Sequence, residues 1–104
     1  MPYQSKLEEK IGDLPFTKEI KSLATTKNVK TFFNNKIYTH KFFTSRQITG
    51  EFLMEILGLN YLGSIRDEVV ILNGLVKNVM GGEIRMALKE GKIIKYNNYT
   101  YKVM

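Results

Sequence analysis

At Gly91 the spacing of apolar residues changes. Before it they recur at helical intervals; after it the side chains alternate, as they do along a strand. Residues Gly91 to Met104 therefore read as a basic β-hairpin. Asn97-Asn98 would supply the two positive-φ residues that a tight two-residue turn needs. Pairing outward from it sets Tyr96 against Tyr99, Lys95 against Thr100, Ile94 against Tyr101 and Ile93 against Lys102. Ile94, Tyr96, Tyr99, Tyr101 and Val103 would then share an apolar face, with Lys95, Thr100 and Lys102 opposite. Just upstream, Ile84, Ala87 and Leu88 predict a short helix over 83–90 that Gly91 stops.

Working back, Thr44-Ser45-Arg46-Gln47 has the form of a capping box, and Ile48, Phe52, Leu53, Ile56 and Leu57 make one apolar stripe ending near Gly58. Asn60 to Gly63 reads as a loop. Ser64, with Asp67 three residues on, opens a further helix through Ile65, Val69, Leu72, Val76 and Val79. Gly74 weakens its middle by about 1 kcal/mol relative to alanine, so a break at Asn73-Gly74 is one reading. Gly81-Gly82 then separates it from the 83–90 helix. In the first half, Ser5-Lys6-Leu7-Glu8 caps a short helix through Ile11. Thr17 caps a second through Ile20, Leu23 and Ala24, and Thr25 to Asn28 interrupts it. Val29, Phe32 and Phe33 mark a further turn or a continuation. The loose alternation from Lys36 to Phe43 suggests a short strand.

With 104 residues and no linker or repeat, the chain reads as a single mostly α (α+β) domain, 1–43 forming an N-terminal helical and aromatic extension and 44–104 its core. The absence of cysteine excludes disulfides and thiolate metal sites. No run approaches the ~20 apolar residues of a membrane span or the form of a signal peptide, so a cytoplasmic protein without a membrane partner is expected. The net charge of +6 is unevenly spread. Residues 1–43 carry eight lysines against four acids, 44–90 five basic residues against six acids, and 91–104 three lysines against none. Positive charge gathered at the two ends favours a polyanionic partner. The abundance of Lys, Asn, Ile, Tyr and Phe is also what an AT-rich genome yields, and points to a low-GC bacterium, plasmid or virus as source.

From Thr44 onward the order is helix, helix, helix, Gly, two-stranded hairpin. Carried by the run from Glu83 to Ile94, this order resembles the winged helix-turn-helix family over the C-terminal sixty residues or so. The resemblance implies DNA binding, with the third helix in the major groove and the wing against backbone or minor groove. Arg85 and Lys89, with Lys77 and Asn78, are the donors available near the groove. Lys92, Lys95 and Lys102 suit phosphate oxygens, and Asn97 and Asn98 the sugar or a groove edge. Lysines on a terminal hairpin also guard an exposed edge against aggregation, which needs no ligand.

The remaining features point away from chemistry. His40 is the lone histidine, and no serine or cysteine is tied to it by a motif. Glu8-Glu9 and Asp67-Glu68 sit in opening turns of predicted helices, where they complement the helix dipole. No cofactor, metal or catalytic residue is expected. Lys18 to Phe43 interleaves six lysines with Phe32, Phe33, Tyr38, Phe42 and Phe43, a composition suited to stacking on single strands but better explained by a core. The expectation is a regulator of transcription or replication that binds double-stranded DNA. The alternative is a module that binds a host polymerase or nuclease through its aromatic N-terminal half. Symmetric DNA binders make self-association a further expectation.

Overall fold

The computed structural model describes residues 6–59 and 67–104. The predicted caps at Ser5 and Ser64 and the loop at 60–63 lie outside them. Three short-range hydroxyl caps organise the first half of the chain. After a first helix, α1 (Lys6–Ile11), Ile20 N donates to Thr17 Oγ1 at 3.2 Å and starts α2, Lys18–Leu23. Asn28 N donates to Thr25 Oγ1 at 3.2 Å and starts α3, Thr26–Lys36. Residues 25–28, expected to interrupt one helix, thus separate two, because threonine in extended conformation satisfies an amide that the new helix leaves unpaired. Gln47 N donates to Thr44 Oγ1 at 3.0 Å and starts α4, Ser45–Glu55. Between α3 and α4 come a 3₁₀ turn, Ile37–Thr39, and strand β1, Phe42–Thr44. The strand anticipated over 36–43 is therefore confined to its end.

Glu8 does more than serve its own helix. Its carboxylate accepts from Thr26 N and, at 2.9 Å, from Thr26 Oγ1, so it caps α3 and ties α1 to it. Leu7 and Ile11 bury the other side of α1.

The largest departure from expectation is α5. It runs unbroken for 23 residues, Asp67–Lys89, through Gly74, Gly81 and Gly82. The three helices expected after Thr44 are therefore two, and the third member of the bundle is α3, upstream of β1. The reason is burial. Val69, Leu72, Val76, Met80, Ile84 and Ala87 recur every three or four residues and are all buried, facing α1, α3 and α4. Each buried large aliphatic contributes about 1.5–3 kcal/mol, whereas each glycine costs about 1 kcal/mol. The stripe outweighs the breakers.

Gly91 then ends the helix in the left-handed region, φ +76°. Lys92 N donates to Ala87 O at 2.9 Å and Gly91 N to Leu88 O at 3.2 Å, a Schellman closure that fixes how the chain leaves α5. Strands β2 (Ile93–Lys95) and β3 (Thr100–Val103) follow, and the antiparallel sheet has the order β1-β3-β2. The result is a mostly helical α+β domain in which α5 leads into a hairpin wing whose strand β3 also pairs with β1, making a three-stranded antiparallel sheet.

The hairpin register differs from expectation by one residue. Ile93 pairs with Val103, Ile94 with Lys102 and Lys95 with Tyr101. No residue but glycine has a positive φ among those described, so Asn97 and Asn98 do not form a mirror-image turn. Instead Asn97 Oδ1 accepts from both Tyr99 N and Thr100 N at 2.9 Å, holding a wider loop over 96–99. Because strand side chains alternate, that single step moves Ile94 and Lys102 to one face, and Ile93, Lys95, Tyr101 and Val103 to the other. On the inner face lie buried Ile93 and, in β1, buried Phe43 opposite Tyr101 of β3. Phe33 meets Phe43, and Phe32 meets Phe52, edge to face, with ring centroids 5.9 and 5.4 Å apart. Much of the N-terminal aromatic set is thus spent on the core.

Candidate nucleic-acid interface

Helical spacing puts Lys77, Asn78, Gly81, Arg85 and Lys89 on one strip of α5, about 18 Å from first to last at 1.5 Å per residue. Two adjoining depressions lie along it. The first, about 340 Å³, is bounded by Thr44, Ser45 and Arg46 where α4 begins, by Lys77, and by Asn98, Tyr99 and Tyr101 of the wing. The second, about 320 Å³, shares Ser45, Lys77 and Tyr101 and continues past Asn78, Gly81, Ile84 and Arg85 to Leu88. They form one groove between α5, the start of α4 and the wing. Arg46, Lys77 and Arg85 line it, and among the described residues no carboxylate does.

The acids nearest in sequence are engaged elsewhere. Glu83, two residues before Arg85, is buried and accepts from Asn34 Nδ2 at 3.2 Å, turned toward α3. Glu90 lies 3.4 Å from Lys92. Among the described residues none of Arg46, Lys77 and Arg85 has an ion-pair partner. The glycine pair also has a local effect. A Cβ at Gly81 or Gly82 would lie 3.8 Å from Arg85 Nη1 or Nη2, so the guanidinium rests against bare helix backbone. The charge stays at the surface of the groove.

Of the residues expected to bind nucleic acid, the groove gathers Lys77, Asn78, Arg85 and Asn98. Lys89 is exposed one turn beyond Arg85 on the same strip. The remaining four are placed differently. Asn97 spends its side-chain oxygen on the turn, Lys92 meets Glu90, and Lys95 is exposed on the edge strand without lining the groove. Lys102 points from the opposite face of the sheet, because it follows Tyr101, which lines the groove, and strand side chains alternate. Sequence reasoning missed Arg46 and the wing tyrosines Tyr99 and Tyr101. Arg46 was legible as the second residue of a capped helix, but its approach to Lys77 depends on tertiary packing.

The other features flagged in the sequence have structural partners. His40 Nε2 is 2.8 and 3.0 Å from the two carboxylate oxygens of Glu51, joining the approach to β1 with α4. A separate apolar depression of about 450 Å³, lined by Leu23, Phe32 and Ile56 among others, carries one cation, Lys36, itself 2.9 Å from Glu55. Phe33 and Phe43, part of the aromatic half proposed as a protein-contact surface, are buried. Among the described residues no cluster of His, Cys, Asp and Glu is arranged to hold a metal. No helix among them is long and apolar enough to cross a membrane. Comparison of the chain with protein-family models, curated proteins and solved structures finds no match.

Proposed function

We propose that the protein binds double-stranded DNA through the groove between α5, the start of α4 and the wing, and acts as a transcription or replication regulator. One observation carries the reading: Arg46, Lys77 and Arg85, from two helices, converge on a groove lined by no carboxylate among the described residues. Three cations held by rigid helices suit the regularly spaced phosphates of a duplex. Asn78 and Asn98 add neutral donors and acceptors for sugar or base edges. Phosphate contact dominates this arrangement, so it favours affinity over sequence choice.

The test is a fluorescence-anisotropy titration of a labelled duplex at several salt concentrations. Three phosphate contacts give a slope of log affinity against log salt of about −2.7. Replacing Lys77 and Arg85 by alanine should weaken binding at low salt and flatten that slope by nearly 2. Undetectable binding at low salt, or an unchanged slope in the double variant, refutes the reading.

A further inference from the structure

The outer face of the sheet carries a second surface, independent of the groove. Lys102 lies between Phe42 of β1 and Ile94 of β2 in direct register, so the three side chains form a row across the strands. Strand spacing makes that row about 10 Å long. Phe42 is 38 % exposed, Ile94 44 % and Tyr96 63 %. The Phe42 and Tyr96 rings meet at 4.9 Å, which places Tyr96 at one end of the row. Lys102 has no ion pair among the described residues, and neither 41–44 nor 91–104 contains an acid. An unpaired lysine thus shares this face with Phe42, Tyr96 and Ile94.

We infer that this face binds single-stranded nucleic acid, with unpaired bases stacking on Tyr96 and Phe42 and the backbone phosphate meeting Lys102. Stacking needs a base whose face is free; in a duplex those faces are already covered, so the occupant is a single strand. A second copy of the chain fits poorly. A two-fold axis over central strand β3 would set Lys102 against its own copy, like charge against like. A membrane surface would find in this row Phe42, Ile94 and Tyr96, a small area for interfacial anchoring. An anionic strand with exposed bases satisfies the charge and the rings together.

The inference is tested on the full chain with a fluorescein-labelled oligothymidylate in low salt, followed by anisotropy. Tyr96→Ala should weaken binding by roughly 5- to 150-fold, the worth of one stacked base, while Tyr96→Phe keeps most of it. Lys102→Glu should weaken it as well, and Arg85→Ala, in the groove, should leave it within about twofold. Circular dichroism of each variant establishes that the fold is retained; Tyr96 is exposed enough that its truncation should preserve it. The inference is overturned if the oligonucleotide does not bind, if Tyr96→Ala and Lys102→Glu bind normally, or if Arg85→Ala weakens binding as much as they do. Phosphatidylserine vesicles bound in a Tyr96-dependent way without oligonucleotide binding would overturn it in favour of a membrane. A Tyr96-dependent dimer in sedimentation without oligonucleotide binding would overturn it in favour of self-association.

Discussion

Alanine at Gly74 and alanine at Gly91 should change stability in opposite directions. Gly74 lies inside α5, and a Cβ built there meets nothing within 4 Å. The substitution therefore neither clashes nor gains packing, and only the backbone term remains: about 1 kcal/mol in favour of alanine in a helix interior. Gly91 also has open space around its Cβ direction, but its φ of +76° is unfavourable for an L side chain. Alanine there should cost about 1–2 kcal/mol. Urea unfolding followed at 222 nm reads both changes, and a slope near 1–2 kcal/mol/M makes them midpoint shifts of roughly 0.5–1 M upward at Gly74 and roughly 0.5–2 M downward at Gly91. In thermal melts the same terms amount to about 4–8 °C per kcal/mol. The decisive result is the sign at position 74. If Gly74→Ala destabilises, the backbone there is a turn needing glycine, and the continuous α5 on which the groove is built is wrong.

Other consequences can be read from single contacts. Thr49 is fully buried, and its hydroxyl has no hydrogen-bond partner among the described residues; Thr49→Val should stabilise by about 1 kcal/mol in the same urea assay, and a loss would reveal a partner. Glu8→Ala removes the cap that joins α1 to α3 and should cost about 1–2 kcal/mol, with Glu8→Gln losing less. Thr44→Ala removes the acceptor for Gln47 N and should cost about 1 kcal/mol, while Thr44→Ser, which keeps the hydroxyl, should stay within a few tenths.

The two surfaces proposed to bind nucleic acid lie on opposite sides of the sheet, so their variants separate them. Lys77 and Arg85 should govern duplex binding, and Tyr96 and Lys102 single-strand binding. Alternation along β3 turns Tyr101 to the groove and Lys102 away from it, and the register of β2 decides what stands beside Lys102. In the expected register Lys102 would have joined Lys95 on a single cationic face; in the observed one it stands with Ile94 and Phe42 instead.

Local signals in the sequence were sufficient for much of the fold. Thr17 and Thr44 each cap a helix as their short-range pattern indicates, since a hydroxyl and an amide three residues away need no distant partner. Gly91 stops α5 for an equally local reason, its access to positive φ. The mostly helical α+β class and the closing hairpin follow from hydrophobic period alone. Tertiary structure decided the rest. Gly74, Gly81 and Gly82 argue for breaks by propensity, and only the burial of Val76, Met80 and Ile84 against other helices overrides them. Asn97-Asn98 suggests a two-residue turn, yet packing of Ile93 and Tyr101 on the inner face with Phe43 accompanies a wider loop and a register one step away. Arg46 and Lys77 stand 31 positions apart in the chain. Their meeting, and the inward turn of Glu83 that leaves Arg85 unopposed, depends on how α4 and α3 pack against α5, which no local pattern specifies.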